Sequence, residues 1–308
     1  MIQTLKKPNF FIVGAPKCGT TAMNDYLSKH PEIFIPNIKE VHFFGQDLDI
    51  TKGALRDERA YLELFRGATT EERLGEASVW YLYSKTAAQE LYTFNPDAKI
   101  VIMLRNPAEM LYSQHSQFLY NGNEDIEDFR EALAAEPERR AGQRIPKSAH
   151  LVDGLFYSET VRYAEQVERY VERFGRENVH IILYDDFRTD LPGTYRKLLQ
   201  FLGVSDNFAP EFAVVNPNKR ARSALLRNFV QTPPESIKRL SRVFFPRSLR
   251  QRVMKGLDQA NIRYEARVPL DPELKGELEQ RFAPEVEKLE QLLGHKLPWG
   301  KGEAVHAS

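Results

Sequence analysis

The chain of 308 residues holds a single cysteine, Cys18. It therefore closes no internal disulfide and builds no Cys-rich zinc site. It has no excess of either charge, with 43 Lys and Arg against 43 Asp and Glu. Long hydrophobic runs are also missing. No segment approaches the ~18 consecutive apolar residues of a spanning helix, and Phe10–Pro16 is too short for the apolar heart of a signal peptide. Glycine and proline are few (17 and 18 residues) and 42% of the chain is hydrophobic, which excludes collagen-like and wholly disordered chains. The length allows one large or two small domains with ample core. The expectation is a soluble protein of a reducing compartment, cytoplasmic by default.

Zero net charge argues against an acidic ligand only if the charges are evenly spread, and they are not. Lys219–Gly256 holds 11 basic residues and one acidic residue, so the remainder is acidic by the same margin. An anionic ligand fits that separation. Within the basic region, Ser236–Gly256 combines seven cations with no acid. It reads as an amphipathic helix pair broken at Pro246 and packed on the core, or as a platform for an anionic glycan, a lipid headgroup or a membrane surface.

The hydrophobic pattern alternates between short apolar runs and longer amphipathic stretches. Phe10–Val13, Lys99–Leu104 and Val179–Leu183 read as buried strands. Thr20–His30, Ala108–Tyr120, Tyr157–Phe174 and Tyr195–Leu202 read as helices, with a charged helix over Asp271–Leu293 interrupted near Pro284. Asn106 suits an N-cap and Pro107 the first helical position. This order predicts an α/β fold with a central, mainly parallel sheet flanked by helices. Ligands in such folds sit beyond the carboxyl ends of the strands.

Two such ends carry candidate chemistry. The first is Gly14-Ala15-Pro16-Lys17-Cys18-Gly19-Thr20-Thr21, a P-loop-like turn between strand and helix. Glycines let backbone N–H groups approach a phosphate, the helix N-terminus adds partial positive charge, and threonine hydroxyls donate. The mononucleotide loop places lysine after the second glycine. Here Thr20 stands there and the lysine is three residues earlier, at Lys17, within reach of a bridging or leaving oxygen. A tight turn with a solvent lysine fits the same residues. The second is Arg105-Asn106-Pro107, with Ser113 about two turns into the following helix. Arginine offers a planar fork for a phosphate monoester and serine a further donor; a capped helix with a surface arginine fits as well.

Together, Pro16-Lys17-Cys18-Gly19-Thr20-Thr21 and, about 90 residues later, Arg105-Asn106-Pro107 with Ser113 resemble the sulfotransferases that use 3′-phosphoadenosine 5′-phosphosulfate (PAPS). The resemblance implies that the first loop grips the 5′-phosphosulfate, while Arg105 and Ser113 grip the 3′-phosphate. Cys18 stands where that loop usually has serine. Lys39-Glu40-Val41-His42-Phe43-Phe44 is similar to a K-E-x-x-F-F segment of the glycan branch, such as the heparan sulfate N- and 3-O-sulfotransferases, whose glutamate is the proposed base. Gly75-Glu76-Ala77-Ser78 with Tyr81 is similar to that branch's G-E-K-[ST]-x-x-Y segment, with Ala77 in place of the lysine. Asn216–Ser223, which includes Lys219, Arg220 and Arg222, looks like the later loop that closes over the nucleotide. The resemblance runs from about Asn9 to Leu226, as the core of a single domain over 1–308, with a helical C-terminal portion over about 227–299.

The implied function is transfer of a sulfuryl group from PAPS to an acceptor hydroxyl on a carbohydrate, glycolipid or small metabolite, leaving 3′,5′-ADP (PAP). The moving group carries less negative charge than a phosphoryl group, so a lysine suffices where kinases use magnesium, and no metal is inferred. Lys17 would offset charge on the departing oxygen and Glu40 would take the acceptor's proton. His42 is the rival base, since its ordinary pKa lies near neutrality. An extended Ile38–Phe44 would point residues 40 and 42 to one side. No nucleic-acid partner is expected. Trp80, Tyr81 and Tyr83 line an acceptor pocket or pack in the core, and Cys18 is a candidate for modification in an electropositive loop. A P-loop kinase with a shifted lysine and a non-catalytic nucleotide-binding module are the alternatives.

Overall fold

The computed structural model describes residues 5–50, 53–212, 219–221, 256, 262–264 and 268–299. In chain order the elements are β1 (Phe10–Gly14), α1 (Thr20–Leu27), β2 (Ile33–Phe34), α2 (Glu58–Glu63), β3 (Arg73–Ala77), α3 (Ala87–Phe94), β4 (Lys99–Leu104) and α4 (Pro107–Asn121). They continue with α5 (Phe129–Ala134), α6 (Glu136–Arg140), α7 (Tyr157–Thr160), α8 (Tyr163–Phe174), β5 (Val179–Leu183), α9 (Tyr184–Thr189) and α10 (Leu191–Leu202). The strands β6 (Lys219–Ala221) and β7 (Ile262–Tyr264) and a helix over Pro272–Leu293 follow. Contacts divide the chain into two compact units, one of residues 1–111, 157–215 and 271–308, the other of 112–156 and 216–270.

The first unit holds a five-stranded sheet in the order β2-β3-β1-β4-β5. Every pairing in it is parallel. A parallel sheet covered on both faces needs strands that are apolar throughout, and β1 and β4 meet that demand: Phe10–Val13 and Ile100–Leu104 are fully buried. β3 (RLGEA) does not look like such a strand. Gly75 lies opposite Phe10 in the register, and a Cβ there would sit 2.0 Å from the Phe10 ring. The glycine is thus the space that the ring fills. β1 lies between β3 and β4, so the chain segments leaving those three strands emerge side by side.

Several predicted elements shift. Asn106 caps α4 as expected, accepting from the Ala108 N–H at 3.0 Å. The helix expected over Tyr157–Phe174 is two, α7 and α8, and a further helix, α9, follows β5 directly. The last helix runs unbroken through Pro284, with Asp271 capping it by accepting from Leu274 N–H at 2.8 Å. It buries Leu274, Leu278, Phe282, Val286 and Leu289, a stripe at helical spacing. No helix among the described residues is long and apolar enough to cross a membrane.

In the second unit, Arg139 and Glu124 form a fully buried ion pair at 2.8 Å. Glu124 also accepts from the Asp125 and Ile126 amides. Such a pair is tolerated in the core because the remaining carboxylate capacity is filled. β6 and β7 pair antiparallel in the same unit.

Candidate functional site

The loop after β1 is tied to the strands beside it. Ala15 N–H donates to Met103 O at 2.7 Å and Leu82 N–H to Val13 O at 2.7 Å. A Cβ on Gly14 would lie 2.5 Å from Leu82 Cβ and 2.8 Å from Val79 O, so glycine is required by close approach. Gly19 caps α1 in the left-handed region (φ 88°) and has no side chain to occupy the first-turn N–H groups. Those donors are what a helix start offers an anion. Thr20 is buried at the first helical position.

Cys18 is fully buried and its thiol donates to Pro16 O at 3.3 Å. Burial pushes the thiol up to about 12, against the opposing pull of the Arg105 and Lys17 charges. This corrects the expectation of a modifiable thiolate: desolvation outweighs the positive surroundings, and the thiol stays neutral and covered. Lys17 belongs to this loop, and Arg105 directly follows β4, whose Met103 carbonyl the loop's Ala15 N–H reaches.

Arg105 leaves the end of β4. Its guanidinium meets Glu109 at 2.9 and 3.2 Å and lies over the Tyr184 ring, 4.5 Å from the centroid. Glu109 also accepts from Lys275 at 3.1 Å. Burial works against ionisation of Glu109, but Arg105 and Lys275 together hold its carboxyl below the ordinary range.

The third part is the segment around Glu40. It is not extended. Glu40 (φ 61°) and His42 (φ 51°) are both left-handed, and so is Lys17 (φ 61°). Non-glycine residues rarely adopt this conformation, and it persists only where surroundings over-determine it, most often at functional sites. Here the determinants are visible. Glu40 N–H donates to Ala77 O at 2.9 Å, His42 N–H to Ser78 Oγ at 3.1 Å and Phe44 N–H to Tyr81 Oη at 3.2 Å. Arg56 donates to the carbonyls of Phe43, Phe44 and Gly45, and Glu90 accepts from the Gly45 and Gln46 amides.

The Glu40 carboxylate accepts from Val79 N–H at 3.0 Å, pairs with Lys39 and lies 3.6 Å from His42 Nε2. Glu40 and His42 therefore do meet, by a pair of left-handed turns instead of a strand's alternation. Val79 joins this carboxylate to the loop after β1, because its own carbonyl is one of the atoms that crowd Gly14.

With these three features in place, comparison with known proteins is decisive. The sulfotransferase-domain family model matches residues 7–213. The chain belongs to the sulfotransferase family. A solved sulfotransferase from Alicyclobacillus acidocaldarius is 34% identical, with 96% of this chain and 99% of that one covered at a TM-score of 0.71. Carbohydrate sulfotransferase 15 of Mus musculus is 26% identical over 249 residues, 64% of this chain and 44% of that protein. Bifunctional heparan sulfate N-deacetylase/N-sulfotransferase 3 of Homo sapiens is 28% identical over 210 residues, 65% of this chain and 23% of that protein. The chain thus spans less than half the length of these two curated relatives.

Within this sulfotransferase, Lys17, Cys18, Gly19, Thr20, Glu40, His42 and Arg105 all lie in the first unit. The first four follow β1, Arg105 follows the adjacent β4, and Glu40 and His42 follow β2, with the Glu40 N–H reaching the Ala77 carbonyl at the end of β3. Ser113 is buried on α4. Lys219 and Arg220 lie in β6, opposite Tyr264 and Arg263; Arg222 and residues 236–255 lie outside the described residues. Tyr81 is a core residue with no exposure, Trp80 is buried, and Tyr83 donates to Glu159 at 2.9 Å. Packing thus accounts for Tyr81 and Trp80. Among the described residues, no three His, Cys, Asp or Glu side chains gather as a metal site.

Sequence reasoning assigned no role to Glu76, the buried carboxylate of β3. Burial raises its pKa to about 7, offset in part by hydrogen bonds from Ser78, Tyr81 and Tyr61. The folded value lies above the ordinary 4.5. Its contribution to stability is therefore full below about pH 4.5 and is lost as pH rises through about 7. That loss amounts to about 3 kcal/mol. Unfolding midpoints measured from pH 4.5 to 8 should fall with rising pH in the natural protein and fall less in Glu76→Gln. Equal slopes would contradict the assignment.

Proposed function

We propose that this chain transfers a sulfuryl group from PAPS to an acceptor hydroxyl on a carbohydrate or glycolipid. One observation carries the reading: a glycine-capped helix start flanked by Lys17 and Arg105 lies on strand ends beside the Glu40–His42 pair. A nucleotide with phosphates at both ends needs two cationic sites, and an acceptor hydroxyl needs a base near the first of them. The names of the curated relatives support a carbohydrate acceptor. Ala77, in place of the lysine of the glycan-type segment, lacks a contact expected of that segment and speaks against a heparan-like acceptor.

PAPS, when bound, supplies the sulfuryl group and departs as 3′,5′-ADP. The backbone about Gly19, with Thr20 and Thr21, holds the 5′-phosphate. Arg105 exchanges Glu109 for the 3′-phosphate, with Ser113 as a further donor. Glu40 accepts the hydroxyl proton as the acceptor oxygen forms its bond to sulfur. Lys17 neutralises the bridging oxygen as the sulfur–oxygen bond breaks. His42 holds the Glu40 carboxylate in place.

Thermal shift separates this reading from a kinase. At 100-fold over its Kd, 3′,5′-ADP should stabilise the protein by ~2.7 kcal/mol, a rise of roughly 5 °C, with little change from ATP and magnesium. Stabilisation by ATP and magnesium alone would reject the proposal.

A further inference from the structure

We infer that Glu76 is a positioning residue for the base segment, acting through the hydroxyls of Ser78 and Tyr81. The inference rests on the reading of Glu40 and His42 given above. Glu76 is 2% exposed on β3, where an apolar side chain would cost less. Three hydroxyls converge on it: Ser78 Oγ donates at 2.5 Å, Tyr61 Oη at 3.1 Å and Tyr81 Oη at 3.1 Å.

All three donors also touch residues 42–44. Ser78 Oγ accepts from His42 N–H and Tyr81 Oη from Phe44 N–H. The Tyr61 ring stacks on Phe43 at 4.2 Å with planes 5° apart. A hydroxyl has one proton and spare acceptor capacity, whereas a carboxylate can only accept. When ionised, the Glu76 carboxylate takes each hydroxyl's one proton and so turns the lone pairs of Ser78 and Tyr81 toward the segment's amides. The direction of every bond in this relay is thereby fixed from one residue. The amides so held belong to His42, itself left-handed, and to Phe44. Tyr81 is anchored in turn, since its carbonyl accepts from Tyr170 Oη at 2.8 Å.

Glu76→Gln keeps the volume but adds an N–H donor, which must reverse at least one hydroxyl. We expect kcat to fall about 10- to 100-fold, the range for a displacement of around 1 Å at a reacting group. KM for PAPS and affinity for 3′,5′-ADP should change by less than about 3-fold, because the nucleotide loop is untouched. Hydrogen exchange should quicken at the amides of residues 42–44 and stay unchanged in β1 and β4. Ser78→Ala and Tyr81→Phe each remove one amide contact and should show the same split; they replace Glu76→Gln if it does not fold.

Unchanged exchange at residues 42–44 would overturn the inference. So would faster exchange with unchanged kcat, or an equal loss of 3′,5′-ADP affinity. Failure of the functional reading looks different. The natural protein would then transfer no sulfuryl group to any acceptor, while the exchange measurement would still report whether Glu76 holds the segment.

Discussion

Lys17→Ala should lower kcat by about 10²–10³-fold, the range seen when a donor aimed at developing charge is removed. The lysine sits in a loop fixed by Gly14's close approach and by Gly19 at the helix cap, and its backbone is left-handed (φ 61°). Alanine has the same Cβ, so the backbone strain is unchanged and the fold should survive. The melting temperature is accordingly expected to stay close to that of the natural protein, as for a half-buried side chain outside the core. Binding of 3′,5′-ADP should weaken much less than turnover, because the backbone donors, Arg105 and Ser113 remain. Steady-state kinetics with PAPS, together with titration of 3′,5′-ADP, read both quantities. Normal turnover would remove Lys17 from the reaction; a parallel loss of binding and turnover would make it a binding residue only.

Glu40→Gln should lower kcat by about 10²–10⁴-fold, the usual share of a general base. The substitution is nearly isosteric, and an amide oxygen can still accept from Val79 N–H. What it loses is the capacity to take a proton and the ion pair with Lys39. His42→Gln should act more weakly, because His42 stands behind the carboxylate at 3.6 Å. Kinetics of the two variants against pH decide between them. Unchanged turnover in Glu40→Gln with a large loss in His42→Gln would move the proton to the imidazole.

How much of this was legible beforehand differs by element. β1 and β4 announce themselves as apolar runs because a covered parallel strand must be apolar throughout, and the edge strand β5 (VHIIL) is apolar but for His180. β3 carries Arg73, Gly75 and Glu76 within five residues, each answering to something distant: Arg73 donates to Leu202 O, Gly75 admits the Phe10 ring and Glu76 gathers three hydroxyls. None of these partners is visible in a local window. The glycine loop and Arg105 were legible because strand–loop–helix order and residue type coincide.

Residues 40–46 were half legible. The pairing of Glu40 with His42 was anticipated, but through an extended strand. The actual backbone is set by residues 77, 78, 81, 56 and 90, between 11 and 45 positions away, and propensity does not register such contacts. Burial of Cys18 was likewise a tertiary fact: the loop's positive charge is readable from its residues, but the desolvation that outweighs it is not.

The central claim is that this site moves a sulfuryl group. Transfer of radiolabelled sulfur from PAPS to a panel of glycans, glycolipids and small hydroxyl compounds tests it most directly, with Lys17→Ala run alongside. The account predicts label on at least one acceptor, stoichiometric release of 3′,5′-ADP, and loss of both in the variant. Tight binding of 3′,5′-ADP with no label transferred to any acceptor would contradict it and leave a nucleotide-binding module on the same fold.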